Sequence, residues 1–251
     1  MRLDSFLYKN GYFDSRNKAQ ESITRGEVSV DGRTITKASF CVCSEVDIKI
    51  SKEKDFVSVG GFKLEKALND FNFSVENLIV ADVGASTGGF CDCMLQRGIK
   101  KVFAVDINDD LLHKKLRNND KVVKIIKNAK NLTLNDFDEK LDLITADLSF
   151  ISATQVLQIF YTLLDDGKNL ILLIKPQFEQ NEKIKFKNGI IRDDKYRKLA
   201  LKSVCEFAVS CGFIPLKMTT APICDNKNVE FLVLFEKNKR KSLDFNFENF
   251  Q

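Results

Sequence analysis

Asp82-Val-Gly84-Ala85-Ser86-Thr87-Gly88-Gly89-Phe90 holds a carboxylate, glycines and two hydroxyls within one short loop. Such residues make a cofactor cradle: glycines let the backbone approach a ligand closely, and a helix that starts just after them offers unpaired N–H groups. The G-x-G-x-x-G spacing of dinucleotide sites is absent. An acidic residue two positions before the first glycine suits a cationic, amino-acid-bearing cofactor better than a pyrophosphate, and S-adenosylmethionine is the natural candidate. Asp106, with Ile107 beside it, ends the next apolar run and is placed to take ribose hydroxyls. Asn128, followed by Ala129, lies just past the run after that, where an adenine ring would rest. The competing reading is a tight strand-to-helix turn that holds no ligand.

Two further ionisable residues sit at the ends of buried apolar runs. Leu141-Asp-Leu-Ile-Thr-Ala-Asp147 leads into Leu148-Ser149-Phe150, and Asn169-Leu-Ile-Leu-Leu-Ile174 ends in Lys175-Pro176. The ligand crevice of an open α/β sheet lies at the carboxyl ends of its strands, so Asp147 and Lys175 are candidates for chemistry. Pro176 stops the strand and holds Lys175 at a rigid exit. Lys63 follows the pair Gly60-Gly61, next to a flexible stretch rather than in mid-helix. A lone histidine on a helix, His113, is given no role.

Continuous apolar runs, read as strands buried on both faces, alternate here with helical patterns. The strands are Leu78–Asp82, Val102–Asp106, Val122–Ile126, Leu141–Asp147, Asn169–Ile174 and, last, Val229–Phe235; Phe213–Met218 is a further segment. The helices are expected over Leu64–Phe71, from Phe90, over Leu111–Leu116, and over Asp194–Cys211 with Gly212 closing it. That order predicts α/β architecture, a largely parallel sheet with helices on both faces. The polar stretch 183–189 is expected to act as a lid.

Residues 2–50 form a separate small α+β unit. Helical spacing at Arg2-Leu3-Asp4-Ser5-Phe6-Leu7 is closed by Gly11, and Ser15 caps a second helix that Gly26 ends. Val28–Val30 and Arg33–Ile35 join at Asp31-Gly32, a hairpin signal, and Glu45–Ile50 completes the unit. In R-L-D…S-R-x-x-A…I-x-x-G-x-V-x-V-x-G it resembles the S4 RNA-binding module. The resemblance implies that Arg2, Arg16, Lys18, Arg25 and Arg33 grip RNA phosphates; a solvated charged face is the alternative.

A net charge of +4 is compatible with nucleic acid without arguing for it. Twenty-one Phe supply ample core material. No apolar run approaches the roughly 18 residues of a membrane span, and the first residues show no signal region, so a cytoplasmic protein is expected. The seven Cys occur without metal-ligand spacing. They are expected to be reduced and packed, and no metal is expected.

Val57-Ser-Val-Gly-Gly-Phe-Lys63-Leu, Asp82–Phe90, Asp147-Leu-Ser-Phe-Ile-Ser152, Ile174-Lys175-Pro-Gln-Phe-Glu179 and Asn228-Val-Glu230-Phe-Leu together resemble the TlyA family, which joins an S4 module to an FtsJ-like methyltransferase domain. The resemblance implies a Rossmann-like methyltransferase fold with a seven-stranded, mostly parallel sheet. It divides the chain into 1–50, a linker 51–56, a methyltransferase domain 57–238 and a basic, Phe-rich tail 239–251. It implies methyl transfer from S-adenosylmethionine to a ribose 2′-hydroxyl of ribosomal RNA, reported for cytidines, with RNA or a ribosomal subunit as partner; a monomer is expected. It also implies a K-D-K-E catalytic set at Lys63, Asp147, Lys175 and Glu230, with Asp147 and Leu148 also at the cofactor. Burial and the like charge of Lys63 would favour the neutral amine of Lys175, with the two carboxylates holding both lysines. Val59 replaces the family's usual Arg, and the acidic residue usual past the third strand is missing at Ile125–Lys127. Rival expectations are an inactive methyltransferase fold that only binds RNA, two structural ion pairs in place of a catalytic set, and a membrane-active haemolysin.

Overall fold

The computed structural model describes residues 1–24, 26–43, 45–50, 56–179, 186–222 and 227–242, without the side chains of Lys187, Lys241 and Ser242. Arg25, Cys224, the segments 51–55 and 183–185, residues 225–226 of the expected loop and the tail from 243 lie outside the described residues. The chain divides into two units, Met1–Asp55 and Phe56–Gln251.

In the first unit, α1 (Leu3–Lys9) and α2 (Arg16–Thr24) pack on a small antiparallel sheet ordered β2-β1-β3, with β1 Val28–Val30, β2 Arg33–Thr34 and β3 Ile48–Ile50. Ser15 Oγ accepts from Lys18 N at 3.2 Å and starts α2. Asp31 (φ 49°) and Gly32 (φ 76°) both take left-handed backbone, as the tight hairpin between β1 and β2 requires. Leu3, Leu7, Ala19, Ile23, Val28 and Val30 form the core.

Asp4 is buried beside that core. Its carboxylate accepts from Arg2 Nε at 3.1 Å, Arg16 Nε at 3.0 Å, Gln20 Nε2 at 2.6 Å and Ser5 N at 2.8 Å. The Arg2 guanidinium above all, then Gln20, Arg16 and Ser5, hold it far below the usual carboxylate range against the opposing effect of burial. A depressed carboxylate stabilises the fold above its unfolded pKa, and that contribution is lost as pH falls below about 4. Asp4→Asn therefore weakens this unit by about 1.5–3 kcal/mol at neutral pH, through loss of the hydrogen bonds that the buried carboxylate accepts. Amide exchange in α1 and β1 of the full chain measures the loss, and the gap to wild type narrows in acid.

In the second unit, the elements run α3 (Val59–Phe71), β4 (Ile79–Val83), α4 (Gly89–Gln96), β5 (Lys101–Asp106), α5 (Lys114–Arg117), β6 (Val122–Ile126), β7 (Leu141–Ala146), α6 (Thr154–Leu163), β8 (Leu164–Ile174), α7 (Asp194–Cys211), β9 (Phe213–Thr220), β10 (Phe231–Lys237) and α8 (Lys239–Ser242). They build a seven-stranded sheet ordered β6-β5-β4-β7-β8-β10-β9, parallel except that β10 runs antiparallel to both neighbours. The edge strand β6 has no buried residue, while the central strands are buried on both faces. On one, Val156, Leu157 and Phe160 of α6 and Val204 and Ala208 of α7 pack on Ile144, Leu172 and Phe235. On the other, Leu64, Leu68 and Phe71 of α3 and Met94 of α4 pack on Val80, Leu143, Ile171 and Leu232. Each such side chain contributes about 1.5–3 kcal/mol of burial. No described helix is long and apolar enough to cross a membrane.

Four local expectations need correction. Gly60 and Gly61 lie inside α3, not in a flexible stretch before it. Their role is close packing: a Cβ on Gly61 would fall 2.5 Å from Phe56 Cβ, and one on Gly89 would fall 2.8 Å from Gly61 N. Lys63 is thus carried by a fixed helical turn. The expected helix over Leu111–Leu116 forms only as α5, because His113 in extended conformation caps it, its Nδ1 accepting from Lys115 N at 3.2 Å. The tail begins as the short helix α8. Cys41 and Cys43 are exposed on either side of buried Val42, so both thiols turn outward instead of packing; Cys91, Cys93, Cys205 and Cys211 are buried.

Candidate active site

Chain order in the sheet reverses between β4 and β7: β5 and β6 lie to one side of β4, and β7 and β8 to the other. Loops leaving adjacent strands on opposite sides open a crevice there. Asp147 N donates to Val83 O at 3.1 Å, and Gly84 N to Val105 O at 2.9 Å, so the loops after β4, β5 and β7 are stitched at one edge. Gly84 takes φ 84°, and a Cβ there would fall 2.5 Å from the Asp147 carbonyl oxygen. Only glycine fits this close approach.

These loops and the one after β6 surround a cavity of about 360 Å³. Gly84, Ser86, Asp106, Ile107, Asn128, Ala129, Asp147 and Leu148 of the expected cofactor set line it. Asp106 is held for use: its carboxylate accepts from Ser86 N at 2.8 Å and Asn108 N at 3.0 Å. Apolar walls come from Val83, Val105, Ile107, Leu111, Leu148, Phe150 and Ile151. A carboxylate at one strand end, apolar walls and a glycine-lined approach fit a nucleoside cofactor that carries an amino-acid group.

Asp82, Ala85, Thr87, Gly88, Gly89 and Phe90 do not line the cavity and instead build the loop under it. The Asp82 carboxylate turns into the sheet, accepting from Thr145 Oγ1 at 2.8 Å and Cys91 Sγ at 3.0 Å. Burial pushes its pKa up to about 6, against those two hydrogen bonds. Phe90 is core, and Gly88 (φ 91°) is the N-cap of α4. Asp82 thus fixes the end of β4 instead of meeting a ligand.

Beside the cavity lie two ion pairs. Lys175, at the end of β8 and buried, contacts Asp147 Oδ1 at 2.5 Å and donates to Ser149 Oγ at 2.8 Å. Asp147 Oδ1 itself has no aligned hydrogen-bond donor. Lys63, from α3, donates to Glu230 Oε2 at 2.6 Å. Glu230 reaches this edge because β10 is antiparallel: Phe231 pairs with Ile174, so the residue before β10 stands opposite the residue after β8. Gln177 extends the second pair, its Nε2 donating to Glu230 Oε1 at 3.3 Å from the turn that Lys175 begins. Each ammonium faces a carboxylate.

Sequence reasoning passed over Ser149, Gln177 and Glu179 as site residues, although all three lie within or beside the strand-end motifs. Glu179 ties the two loops together, accepting from Ala153 N at 2.8 Å and Ser152 Oγ at 2.5 Å. Burial raises its pKa. Asn228 pins the end of the expected lid, accepting from Ile191 N at 2.8 Å and donating to Gly189 O at 2.9 Å. Among the described residues no cluster of His, Cys, Asp and Glu is placed to hold a metal ion.

In the first unit, Arg2 and Arg16 are engaged with Asp4, Lys18 pairs with Asp14 at 2.9 Å, and Arg33 is exposed on β2. The two arginines thus serve the unit's own fold, a role that the RNA-contact expectation did not include.

Residues 56–237 match the FtsJ-like methyltransferase family model and residues 1–48 the S4 domain model. Hemolysin A of Brachyspira hyodysenteriae is 41% identical over 238 residues, 94% of this chain and 99% of that protein. The 16S/23S rRNA (cytidine-2′-O)-methyltransferase TlyA of Mycobacterium tuberculosis is 31% identical over 246 residues, 96% of this chain and 92% of that protein. A solved structure named as a hemolysin from Streptococcus thermophilus superposes with a TM-score of 0.71 at 38% identity, covering 95% of this chain and 88% of that one.

Proposed function

Because this chain belongs to the TlyA family, in which an S4 domain precedes an FtsJ-like methyltransferase domain, we propose that it transfers a methyl group from S-adenosylmethionine to the 2′-hydroxyl of a cytidine in ribosomal RNA. The observation that carries the reading is the two lysine–carboxylate pairs at the sheet's carboxyl edge, one of them at a glycine-lined cavity at the switch point. Asp106 would take the cofactor's ribose hydroxyls, Ile107, Asn128, Ala129 and Leu148 would enclose the adenine, and the Gly84–Ser86 backbone would meet the amino-acid end. The bound cofactor supplies an electrophilic methyl group on a sulfonium.

The chain's own residues supply the rest. A ribose hydroxyl is a poor nucleophile near neutral pH and must lose its proton as it attacks. The neutral amine of Lys175 accepts that proton, and Asp147, in contact with it at 2.5 Å, compensates the ammonium formed. Glu230 fixes Lys63 as a second cation for the RNA backbone beside the reacting ribose. A positioned base contributes about 10²–10⁴-fold, and alignment of the attack contributes more. The S4 unit supplies further RNA contacts through Lys18 and Arg33. The protein works in the cytoplasm as a monomer and without a metal.

Incubating the protein with tritiated-methyl S-adenosylmethionine and ribosomes from cells lacking its gene tests the reading. Label is expected in rRNA, in alkali-resistant dinucleotides, because a methylated 2′-oxygen cannot attack the neighbouring phosphate. Label confined to bases, or absent, contradicts it. Changing Lys18 and Arg33 together to Ala is expected to weaken RNA binding at all sequences and to lower the salt slope by about two. An unchanged slope would remove them from the RNA contact.

A further inference from the structure

We propose that Ser149 is a proton relay for Lys175, carrying to solvent the proton that the amine takes from the ribose hydroxyl. This rests on the reading of the site given above and adds a residue and a step to it. Lys175 is only 8% exposed. Its ammonium has two close polar neighbours among the described residues, Asp147 Oδ1 at 2.5 Å and Ser149 Oγ at 2.8 Å. Asp147 Oδ1 is itself shut off from solvent. Ser149 is exposed and lines the cavity. A ribose seated on Lys175 covers what remains of the amine's own exposure, leaving the Ser149 hydroxyl as its open neighbour.

The proton balance is closed. The hydroxyl O–H bond breaks and its proton joins the Lys175 nitrogen as the new O–CH₃ bond forms and the S–CH₃ bond of the donor breaks. The ammonium then donates to Ser149 Oγ, and the Ser149 hydroxyl passes its own proton to water. Lys175 returns to the neutral amine and one proton leaves per methyl group transferred. Without the relay the lysine stays paired with Asp147 as an ammonium, with no lone pair for the next hydroxyl. A hydroxyl is the group this position needs, because it accepts from the ammonium and donates outward at once. Ser149 acts through Lys175 and is a positioning and relay residue.

Methyl transfer over many turnovers on ribosomes from cells lacking the gene, set beside the first turnover alone, separates relay from mere support. Ser149→Ala is expected to slow every turnover after the first by about 10²-fold, the lower range for a positioned proton acceptor, and to leave the first turnover unchanged. Added imidazole, a small base able to reach the gap, is expected to restore the Ala variant and leave wild type unchanged. Ser149→Thr, which keeps the hydroxyl, is expected to retain most of the rate without imidazole. An Ala variant as fast as wild type, or one slowed but indifferent to imidazole, overturns the relay. Cofactor titration by calorimetry shows that the Ala variant is folded and loaded. Failure of wild type to methylate rRNA at all would instead strike the proposed function, so the two are distinguishable.

Discussion

Lys175→Ala is expected to lower methyl transfer by about 10³-fold while cofactor affinity stays within about twofold. The side chain lies at the junction of β8 and its turn, buried, against Asp147 and Ser149. It stands beside the cavity without lining it, so its loss leaves the cofactor's walls in place. Lys175→Arg sharpens the test. A guanidinium keeps the charge and the pairing with Asp147 but cannot deprotonate at usable pH. If Lys175 only orients the hydroxyl, Arg retains much of the rate; if it takes the proton, Arg is as slow as Ala. The second outcome is expected. Single-turnover rates and calorimetry on the same preparations measure both quantities, and full activity in the Ala variant would take Lys175 out of the mechanism.

Gly84→Val is expected to abolish cofactor binding, by about 10²-fold or more. Gly84 has φ 84°, which a β-branched residue adopts only with strain of about 1–3 kcal/mol. Its new Cβ would also fall 2.5 Å from the Asp147 carbonyl oxygen. Either the loop after β4 or the Asp147 backbone just past β7 must move, and Gly84 and Asp147 both line the cavity. Methyl transfer falls as well, because Asp147 is displaced from Lys175. Gly167→Ala is the control: its φ is 78° but a Cβ there meets nothing within 4 Å, so cofactor affinity should hold. Equal affinity in the Gly84→Val and wild-type proteins, by titration, would mean the loop does not hold the cofactor.

The features legible in the sequence were those set by local pattern. The buried runs, the Asp31-Gly32 turn, the Ser15 cap and the Gly212 stop all act within a few residues, and each stands in the structure as an element boundary. Partners distant in the chain were not legible. The pair Gly60-Gly61 is the same whether it serves a hinge or a close helix packing; Phe56 and Gly89 decide for packing. Arg2 and Arg16 carry the same charge whether they face phosphate or a buried Asp4. Asp82 sits in the acidic position of a cofactor motif, yet Thr145 and Cys91 turn its carboxylate inward. Strand direction was hidden too. Glu230 precedes its strand and reaches the same edge as Lys175 only because β10 runs backwards. Ser149 and Gln177 bear no mark in their residue type, and only their contacts with Lys175 and Glu230 single them out.

The most direct measurement is mass-spectrometric mapping of ribose methylation in rRNA from cells that lack this gene and carry either the wild-type protein or Lys175→Ala. The account predicts a 2′-O-methylcytidine with the wild-type protein that is absent with the variant. The same methylation in both strains, or none with wild type, would contradict it.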